Sequence, residues 1–150
     1  MSEKNITLRK VNKDDLNLLF EWVNDPLVRN NSFNTDTIAF EDHKRWFENT
    51  LLNEDRIIFI LLDEDIPVGQ IRFDIEGDKA YIDYSVSKDN RGKGYGKILL
   101  DMGVSNLKNL RPEIKTVIGL VKPGNADSRN CFKNSGYTEK SVCYELNLGD

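Results

Sequence analysis

Short hydrophobic segments separated by polar turns run along the chain, and they predict most of its strands. ITLRKV, at 6–11, alternates between apolar and polar residues and predicts the first strand. RIIFILLD, VGQIRFDIE and AYIDYSVS follow one another with short turns between them. Three consecutive strands joined in this way are predicted to form an antiparallel meander.

Apolar residues at helical spacing predict two helices before the meander. NKDDLNLLFEWVND begins with Asn12 as its predicted N-cap, and Asp15 follows three residues later. FEDHKRWFENTLL has a predicted apolar stripe formed by Phe40, Phe47 and Leu51. DPLVRNNSFN, between these segments, predicts a short helical turn or loop.

The second half of the chain has a strand–helix–strand pattern. A glycine-rich loop leads into a predicted helix at 94–110, and KTVIGLV then predicts a strand. Such a crossover implies that its two strands are parallel. GNADSRNCFKNSG predicts a short helix that starts at Asn125 and ends at Gly136, and YTEKSVCYELNLG predicts a final strand. The chain is therefore predicted to be a single α+β domain over 1–150, a mixed sheet with helices on both faces.

Composition and charge exclude several classes of partner. The formal net charge is −4, which argues against nucleic acid as the main partner. The longest apolar run, Ile57–Leu62, is too short to span a membrane, and MSEKNITLRK has no apolar signal region. We therefore expect a cytoplasmic protein, with Cys131 and Cys143 as free thiols. The single histidine excludes a histidine-rich metal site, and no metal is expected.

The segment SVSKDNRGKGYGKILL, at 85–100, is suited to binding an anion. Glycines between a strand and a helix leave several backbone N–H groups free to point at a phosphate. A Walker A loop would need glycine at Arg91 and serine or threonine at Ile98, so that pattern does not fit. The G-x-G-x-x-G pattern of dinucleotide-binding proteins fails too, because Lys97 and Leu99 stand where the third glycine is required.

The pattern that fits is R-x-x-G-x-G, from Arg91 to Gly96. It closely resembles the coenzyme A pyrophosphate loop of the GNAT superfamily of acyl-CoA-dependent N-acyltransferases. The resemblance extends along most of the chain, including Asn125 and CFKNSGY about thirty residues after the loop. It implies an acetyl-CoA-dependent enzyme that acetylates a primary amine. A non-catalytic module that binds acyl-CoA is the alternative from another functional class.

The same resemblance implies where the cofactor binds. Backbone groups at the end of the strand before the loop would hydrogen-bond the pantetheine arm, and the loop amides would hold the pyrophosphate. Asn125 would lie near the pantetheine arm, and it is equally suited to be an N-cap. Phe132 would line the thiol pocket. The residues implied for the arm and the loop are Tyr84, Ser85, Val86, Arg91, Gly92, Lys93, Gly94, Tyr95, Gly96 and Lys97.

The implied reaction is direct attack of an amine on the thioester, which needs a base, an oxyanion donor and an acid for the leaving thiolate. Asp83 is the first candidate base, and a solvent-facing strand carboxylate is its other interpretation. A backbone N–H near Val86 is the implied oxyanion donor. In the family a tyrosine commonly serves as the acid, but Phe132 occupies that position here. Water, Tyr144 or Tyr84 would then protonate the thiolate.

The N-terminal third would select the amine. FEWVNDPLVRNNSFN, FEDHKRWF and VGQIRFDIEGDKA look similar to a bacterial subgroup that acetylates UDP-linked 4-amino sugars in nonulosonic (pseudaminic-type) acid synthesis. His43 and Trp46 share a predicted helical face that could cradle a sugar or nucleotide ring, and Arg29 and Asn30 could reach a diphosphate or hydroxyl groups. Core packing and a polar turn are the other interpretations of these residues. A peptide α-amine is the alternative acceptor, and a homodimer is left open.

Overall fold

The computed structural model describes residues 5–149, and its regular elements follow the predicted order closely. The strands are β1 (Ile6–Lys10), β2 (Arg56–Asp63), β3 (Ile66–Glu76), β4 (Lys79–Val86) and β5 (Thr116–Gly119). The helices are α1 (Leu16–Val23), α2 (Pro26–Asn31), α3 (Phe40–Leu52), α4 (Tyr95–Leu110) and α5 (Ala126–Asn134). Short 3-10 turns occupy Lys13–Asp15 and Lys88–Asn90.

The five strands form one mixed sheet in the order β1-β2-β3-β4-β5. The pairs from β1 to β4 are antiparallel, and β4 pairs with β5 in parallel, which confirms the predicted meander and crossover. The β4–β5 pairing extends only from Lys79 opposite Thr116 to Ile82 opposite Gly119. Since β4 continues to Val86, its last four residues have no partner on the β5 side. The sheet therefore opens into a gap at this point.

Helices cover both faces of the sheet, as predicted. Successive strand residues point to opposite faces, so both faces carry apolar side chains that helices can bury. On one face, α4 and α5 pack against alternate residues of β2, β3 and β4, with Leu99 and Phe73 fully buried. On the other face, α1 and α3 pack against Ile58 and Ile60 of β2. The second group of helices is smaller and leaves part of β3 and β4 uncovered.

The first helical segment begins at the predicted cap. The Asn12 side chain accepts from the Asp14 N–H at 2.8 Å, while Asp15 Oδ2 accepts from the Asn12 N–H at 2.9 Å. Asp15 is buried, and Arg9 pairs with both of its carboxylate oxygens at 2.8 Å. These hydrogen bonds from Arg9 lower the pKa of Asp15. The capping box and the ion pair together join α1 to β1.

The predicted apolar stripe of α3 is only partly right. Phe47 is buried, but Phe40 and Leu51 are 37% and 40% exposed. The buried face instead contains His43, Phe47 and Thr50. The Thr50 hydroxyl donates to the Trp46 carbonyl at 2.8 Å, so this polar residue can be buried on the packed face.

The predicted final strand is wrong for the described part of the chain. Residues 138–149 contain neither helix nor strand, and the large apolar side chains of this segment are exposed. Alternating residues suit a strand, but a strand forms only when a neighbour satisfies its backbone N–H and C=O groups. No such pairing involves this segment. Among the described residues, no helix is both long and apolar enough to cross a membrane.

Candidate active site

The gap between β4 and β5 opens into a cavity of about 590 Å³. Its walls come from the end of β4, the glycine loop, the start of α4, one face of α5 and part of α2. Most of the residues implied for the cofactor line it: Tyr84, Ser85, Val86, Arg91, Gly92, Gly94, Tyr95, Gly96, Lys97, Asn125 and Phe132. Lys93 is exposed and does not line it. We call this space the cofactor cavity.

The glycine loop has a backbone that only glycine adopts easily. Gly92 and Gly94 have φ angles of +77° and +86°, which carry a steric penalty for residues with a Cβ. Gly94 is the N-cap of α4, and no side chain caps this helix. The first N–H groups of a helix have no partner within the helix. The loop and helix start therefore supply backbone donors and the positive end of the helix dipole to the cavity.

Tyr95 anchors the start of α4 through its side chain. Its ring is buried, and its hydroxyl donates to the Asp63 carboxylate at the end of β2. The Tyr95 hydroxyl thus links the start of α4 to the end of β2. The sequence pattern placed Tyr95 in the loop but carried no signal for this anchor, because Asp63 lies 32 residues away.

The α5 wall combines a cap with an aromatic cluster. Asn125 accepts from the Ser128 N–H at 3.2 Å, which confirms the predicted cap, and it also lines the cavity. The Phe132 ring stacks edge-on against Tyr84 at a centroid distance of 5.7 Å. The Tyr84 and Ser128 hydroxyl oxygens are 3.0 Å apart. Burial raises the pKa of Tyr84, so its hydroxyl is protonated at neutral pH.

A second cavity of about 520 Å³ lies on the sheet face that α1 and α3 leave uncovered. It contains three of the residues predicted for the acceptor, namely Arg29, His43 and Trp46. Six residues line both cavities, so the two spaces meet: Val28, Asn31, Ser32, Asp83, Ser85 and Leu120. We call this second space the acceptor cavity.

Asp83 lies where the two cavities meet. Its side chain is about half exposed, and Oδ2 accepts from Gln70 Nε2 at 3.2 Å. Arg72 Nη1 is 3.9 Å from the same carboxylate. Gln70 and Arg72 also line the acceptor cavity, although sequence reasoning did not select them. The signal was available in the register, because Arg72 faces Asp83 and Gln70 faces Ser85 across the β3–β4 pair.

His43 and Trp46 form an aromatic wall of the acceptor cavity. The His43 ring is buried, with the rings of Phe20, Trp46 and Phe47 between 5.5 and 6.2 Å away. Its Nε2 has no hydrogen-bond partner, and burial lowers the pKa of this imidazole. The guanidinium of Arg72 lies 5.4 Å from the centre of the Trp46 ring. The wall therefore offers an aromatic surface and a neutral imidazole.

Arg29 and Asn30, both predicted for the acceptor, make contacts within the protein, and only Arg29 also lines the acceptor cavity. Arg29 donates to the backbone carbonyls of Val23, Asn34 and Asp36 and to the Ser32 hydroxyl, so its guanidinium orders the segment after α2. Asn30 lines neither cavity. Its backbone carbonyl accepts from Lys122 Nζ at 3.0 Å.

Tyr144 is not brought to the site. Its side chain is 92% exposed in the segment that was predicted as the final strand, and it lines neither cavity. Without strand pairing, that segment does not bring its side chains against the sheet. Of the two tyrosines considered for the thiolate, only Tyr84 is in the cofactor cavity.

A mixed sheet that opens beside a glycine loop and a helix N-terminus, with a second cavity joined at the opening, is suited to an acyl-CoA-dependent acyltransferase. Residues 5–138 match the sequence model of the Acetyltransferase (GNAT) domain, and the chain belongs to this family. It is therefore an N-acetyltransferase that uses acetyl-CoA as its co-substrate. Among curated protein sequences, none matches significantly.

Solved structures of GNAT enzymes have the same fold. Spermidine N-acetyltransferase from Vibrio cholerae, in complex with coenzyme A and spermine, has a TM-score of 0.82 at 15% identity, covering 91% of this chain and 82% of that one. An aminoglycoside acetyltransferase, AAC(6')-Ib, with coenzyme A and kanamycin, has a TM-score of 0.77 at 21% identity, covering 91% and 86%. RimL, a ribosomal L7/L12 alpha-N-protein acetyltransferase in complex with coenzyme A, has a TM-score of 0.80 at 15% identity, covering 93% and 83%.

No group of three or more histidine, cysteine, aspartate or glutamate side chains within 5–149 could hold a metal ion. The Asp83 carboxylate and the Ser85 hydroxyl lie at the junction of the two cavities, and the Tyr84 and Ser128 hydroxyls lie in the adjoining cofactor cavity.

Proposed function

We propose that the acceptor is the free amine of a UDP-linked 4-amino sugar, acetylated at the junction of the two cavities. The observation that carries this proposal is the acceptor cavity, which combines aromatic surface with amides and hydroxyls. Trp46 forms one wall, and Phe33 at the same cavity is 70% exposed. Flat apolar rings beside polar groups suit a uracil or sugar ring. Asn31 and Ser32, which line both cavities, are suited to sugar hydroxyls.

The charge of the acceptor cavity argues against a polyamine or an aminoglycoside. Its charged lining residues are two acids, Asp42 and Asp83, and two bases, Arg29 and Arg72. A ligand with several amines would require an excess of carboxylates to replace its hydration. A nucleotide sugar has one amine and a diphosphate, so a cavity with balanced charge suits it better.

The cofactor cavity is proposed to hold acetyl-CoA along the free edge of β4 and on the glycine loop. Ser87 N–H donates to the Val68 carbonyl on β3 at 2.8 Å. Because successive N–H groups of a strand point to opposite edges, those of Val86 and Tyr84 point into the gap. They are placed to bond the pantetheine arm and to stabilise the thioester oxyanion. The amides around Gly92 and Gly94 would hold the pyrophosphate.

The reaction follows from these positions. Asp83 accepts one proton from the ammonium group, directly or through water, and the free amine nitrogen attacks the thioester carbon. The nitrogen of the tetrahedral intermediate loses its second proton to water, and the carbon–sulfur bond breaks, so that the sulfur leaves as a thiolate. Tyr84, hydrogen-bonded to Ser128, donates a proton to that sulfur. In this assignment, the Tyr84 hydroxyl on β4 takes the role of the tyrosine that the family commonly has at the position of Phe132 on α5.

The test is release of the coenzyme A thiol from acetyl-CoA with five acceptors at equal concentration. These are a UDP-linked 4-amino sugar, the same amino sugar without UDP, a peptide with a free N-terminus, spermidine and kanamycin. We expect the nucleotide sugar to have the highest kcat/KM, and the same amino sugar without UDP to react more slowly. A preference for the peptide would contradict the proposed acceptor. Tight acetyl-CoA binding without turnover of any amine would favour the non-catalytic module.

A further inference from the structure

Helix α2 forms a wall of both cavities although none of its side chains is buried. Leu27, Val28 and Asn31 line the cofactor cavity, and Val28 and Asn31 also line the acceptor cavity. A six-residue helix without a buried face gains little stability from packing. Besides the Arg29 side chain, which donates to the Val23 carbonyl, polar contacts at its two ends therefore hold α2 in position.

Those contacts join α2 to both sides of the gap in the sheet. At its start, Asp25 Oδ1 accepts from the N–H groups of Leu27 and Val28 at 3.0 and 3.4 Å, and from Arg91 Nη2 at 2.9 Å. At its end, the Asn30 carbonyl accepts from Lys122 Nζ at 3.0 Å. Arg91 belongs to the glycine loop, and Lys122 follows β5.

The contact between Asp25 and Arg91 is well shielded from solvent. The Asp25 side chain is only 12% exposed, and that of Arg91 is 29% exposed. Burial alone would raise the pKa of Asp25, but the hydrogen bond from Arg91 and those from the backbone hold it below its ordinary value. One carboxylate oxygen thus caps α2 and also binds the first residue of the loop.

We propose that Arg91 is a positioning residue that transmits the state of the cofactor loop to α2. Arg91 directly precedes Gly92, and both line the cofactor cavity, so a pyrophosphate held by the loop amides would restrain the backbone that carries the guanidinium. The Asp25–Arg91 ion pair then orders α2, which completes the wall of the acceptor cavity after coenzyme A has bound. By linkage, a ligand that orders α2 also tightens the binding of coenzyme A.

The decisive variant is Asp25→Asn. Asparagine caps helices about as well as aspartate, so α2 keeps its cap while the charge that holds Arg91 is lost. Arg91→Gln removes the other partner. The matched control is Glu113→Gln, which breaks the ion pair between Glu113 and Arg111 Nε, 2.7 Å apart. Neither residue lines a cavity.

The readout is hydrogen exchange of the α2 amides with and without saturating coenzyme A, with affinity measured by calorimetry. In the wild type and in Glu113→Gln, we expect coenzyme A to slow exchange in α2 at least about fivefold, the lower end of typical coupling between sites. In Asp25→Asn and Arg91→Gln, we expect this slowing to fall below about twofold. The double variant should resemble the single ones, because all three lack the same contact.

The proposal would be overturned if coenzyme A slowed α2 exchange in Asp25→Asn as much as in the wild type. It would also be overturned if α2 exchange in the wild-type protein were unaffected by coenzyme A. A third outcome would also overturn the proposal: Arg91→Gln binds coenzyme A more weakly, but saturating coenzyme A still slows α2 exchange as in the wild type. Arg91 would then only bind the cofactor. No acceptor is needed, so the result is independent of the proposed amine.

Discussion

Replacing Gly94 with alanine tests whether the loop backbone binds the pyrophosphate. At a φ of +86°, alanine costs about 1–2 kcal/mol of folding free energy. The cost should lower Tm by about 2–4 °C per kcal/mol for a domain of this size. No heavy atom lies within 4 Å of the added Cβ, so it would enter the open space beside the loop. A pyrophosphate approaching the loop would meet this methyl group.

The expected loss of affinity can be worked from a single hydrogen bond. A hydrogen bond to a charged group is worth about 1.5–3 kcal/mol, so losing one raises Kd about 10- to 150-fold. Calorimetry should show this loss for coenzyme A. Pantetheine, which has no pyrophosphate, should bind Gly94→Ala and the wild type within about threefold of each other.

Gly77→Ala is the matched control for backbone strain. Gly77 is in the β3–β4 turn at a φ of +63°, and its added Cβ also meets nothing within 4 Å. It should lose a similar amount of stability and keep its affinity for coenzyme A. If Gly94→Ala bound coenzyme A as tightly as Gly77→Ala does, the loop would not be the pyrophosphate site.

Asp83→Asn should lower kcat about 100-fold because it removes the base, with the largest loss at low pH where the amine is mostly protonated; a pH–rate profile measures this. Tyr84→Phe should lower kcat about 100-fold in steady-state kinetics and leave the Kd of coenzyme A unchanged, since only the hydroxyl is lost. Gly119→Ala should lower Tm by about 4 °C or more, because its Cβ would lie 2.3 Å from Phe132 Cζ. His43→Gln should flatten the dependence of Tm on pH between 8 and 5.5. Burial lowers the pKa of His43, so the unfolded chain takes up its proton first and the wild type loses stability as pH falls below about 6.5.

Each of these changes has a control or an outcome that contradicts it. Asp42→Asn removes a carboxylate from the acceptor cavity alone and should retain kcat. Tyr81→Phe removes a β4 hydroxyl that lines neither cavity, and an equal loss of kcat there would argue against Tyr84. Gly124→Ala adds a Cβ that meets nothing within 4 Å and should keep its Tm. His43 is the only histidine, so an unchanged pH slope in His43→Gln would exclude it as the cause.

The features that the sequence predicted well are those encoded within a few residues. The glycine loop is recognisable because positive φ at Gly92 and Gly94 requires glycine at these positions. The caps at Asn12 and Asn125 bond to N–H groups two or three residues away. Likewise, the hydrophobic segments predicted the strands from β1 to β5 because each segment carries its own periodicity.

The features that were missed depend on pairing between distant segments. Asp25 and Arg91 are 66 residues apart, and neither position alone indicates the contact. The acceptor cavity exists because α1 and α3 cover only part of one sheet face, which is decided by the lengths and packing of several elements. The predicted final strand failed for the same reason. Its alternation is visible in the sequence, but the backbone partner it needs is not.

The Phe132 ring packs closely against Gly119 of β5. Cζ is the ring atom closest to the position of a Cβ on Gly119, at 2.3 Å, while Cε1 and Cε2 are 2.6 and 2.9 Å away. These distances place the Cβ position over the face of the ring beside Cζ, so the Gly119 backbone packs flat against the ring and a side chain at 119 would overlap it. Glycine at 119 and phenylalanine at 132 thus fit each other, and the hydroxyl that faces the cavity comes from Tyr84 across the same aromatic contact.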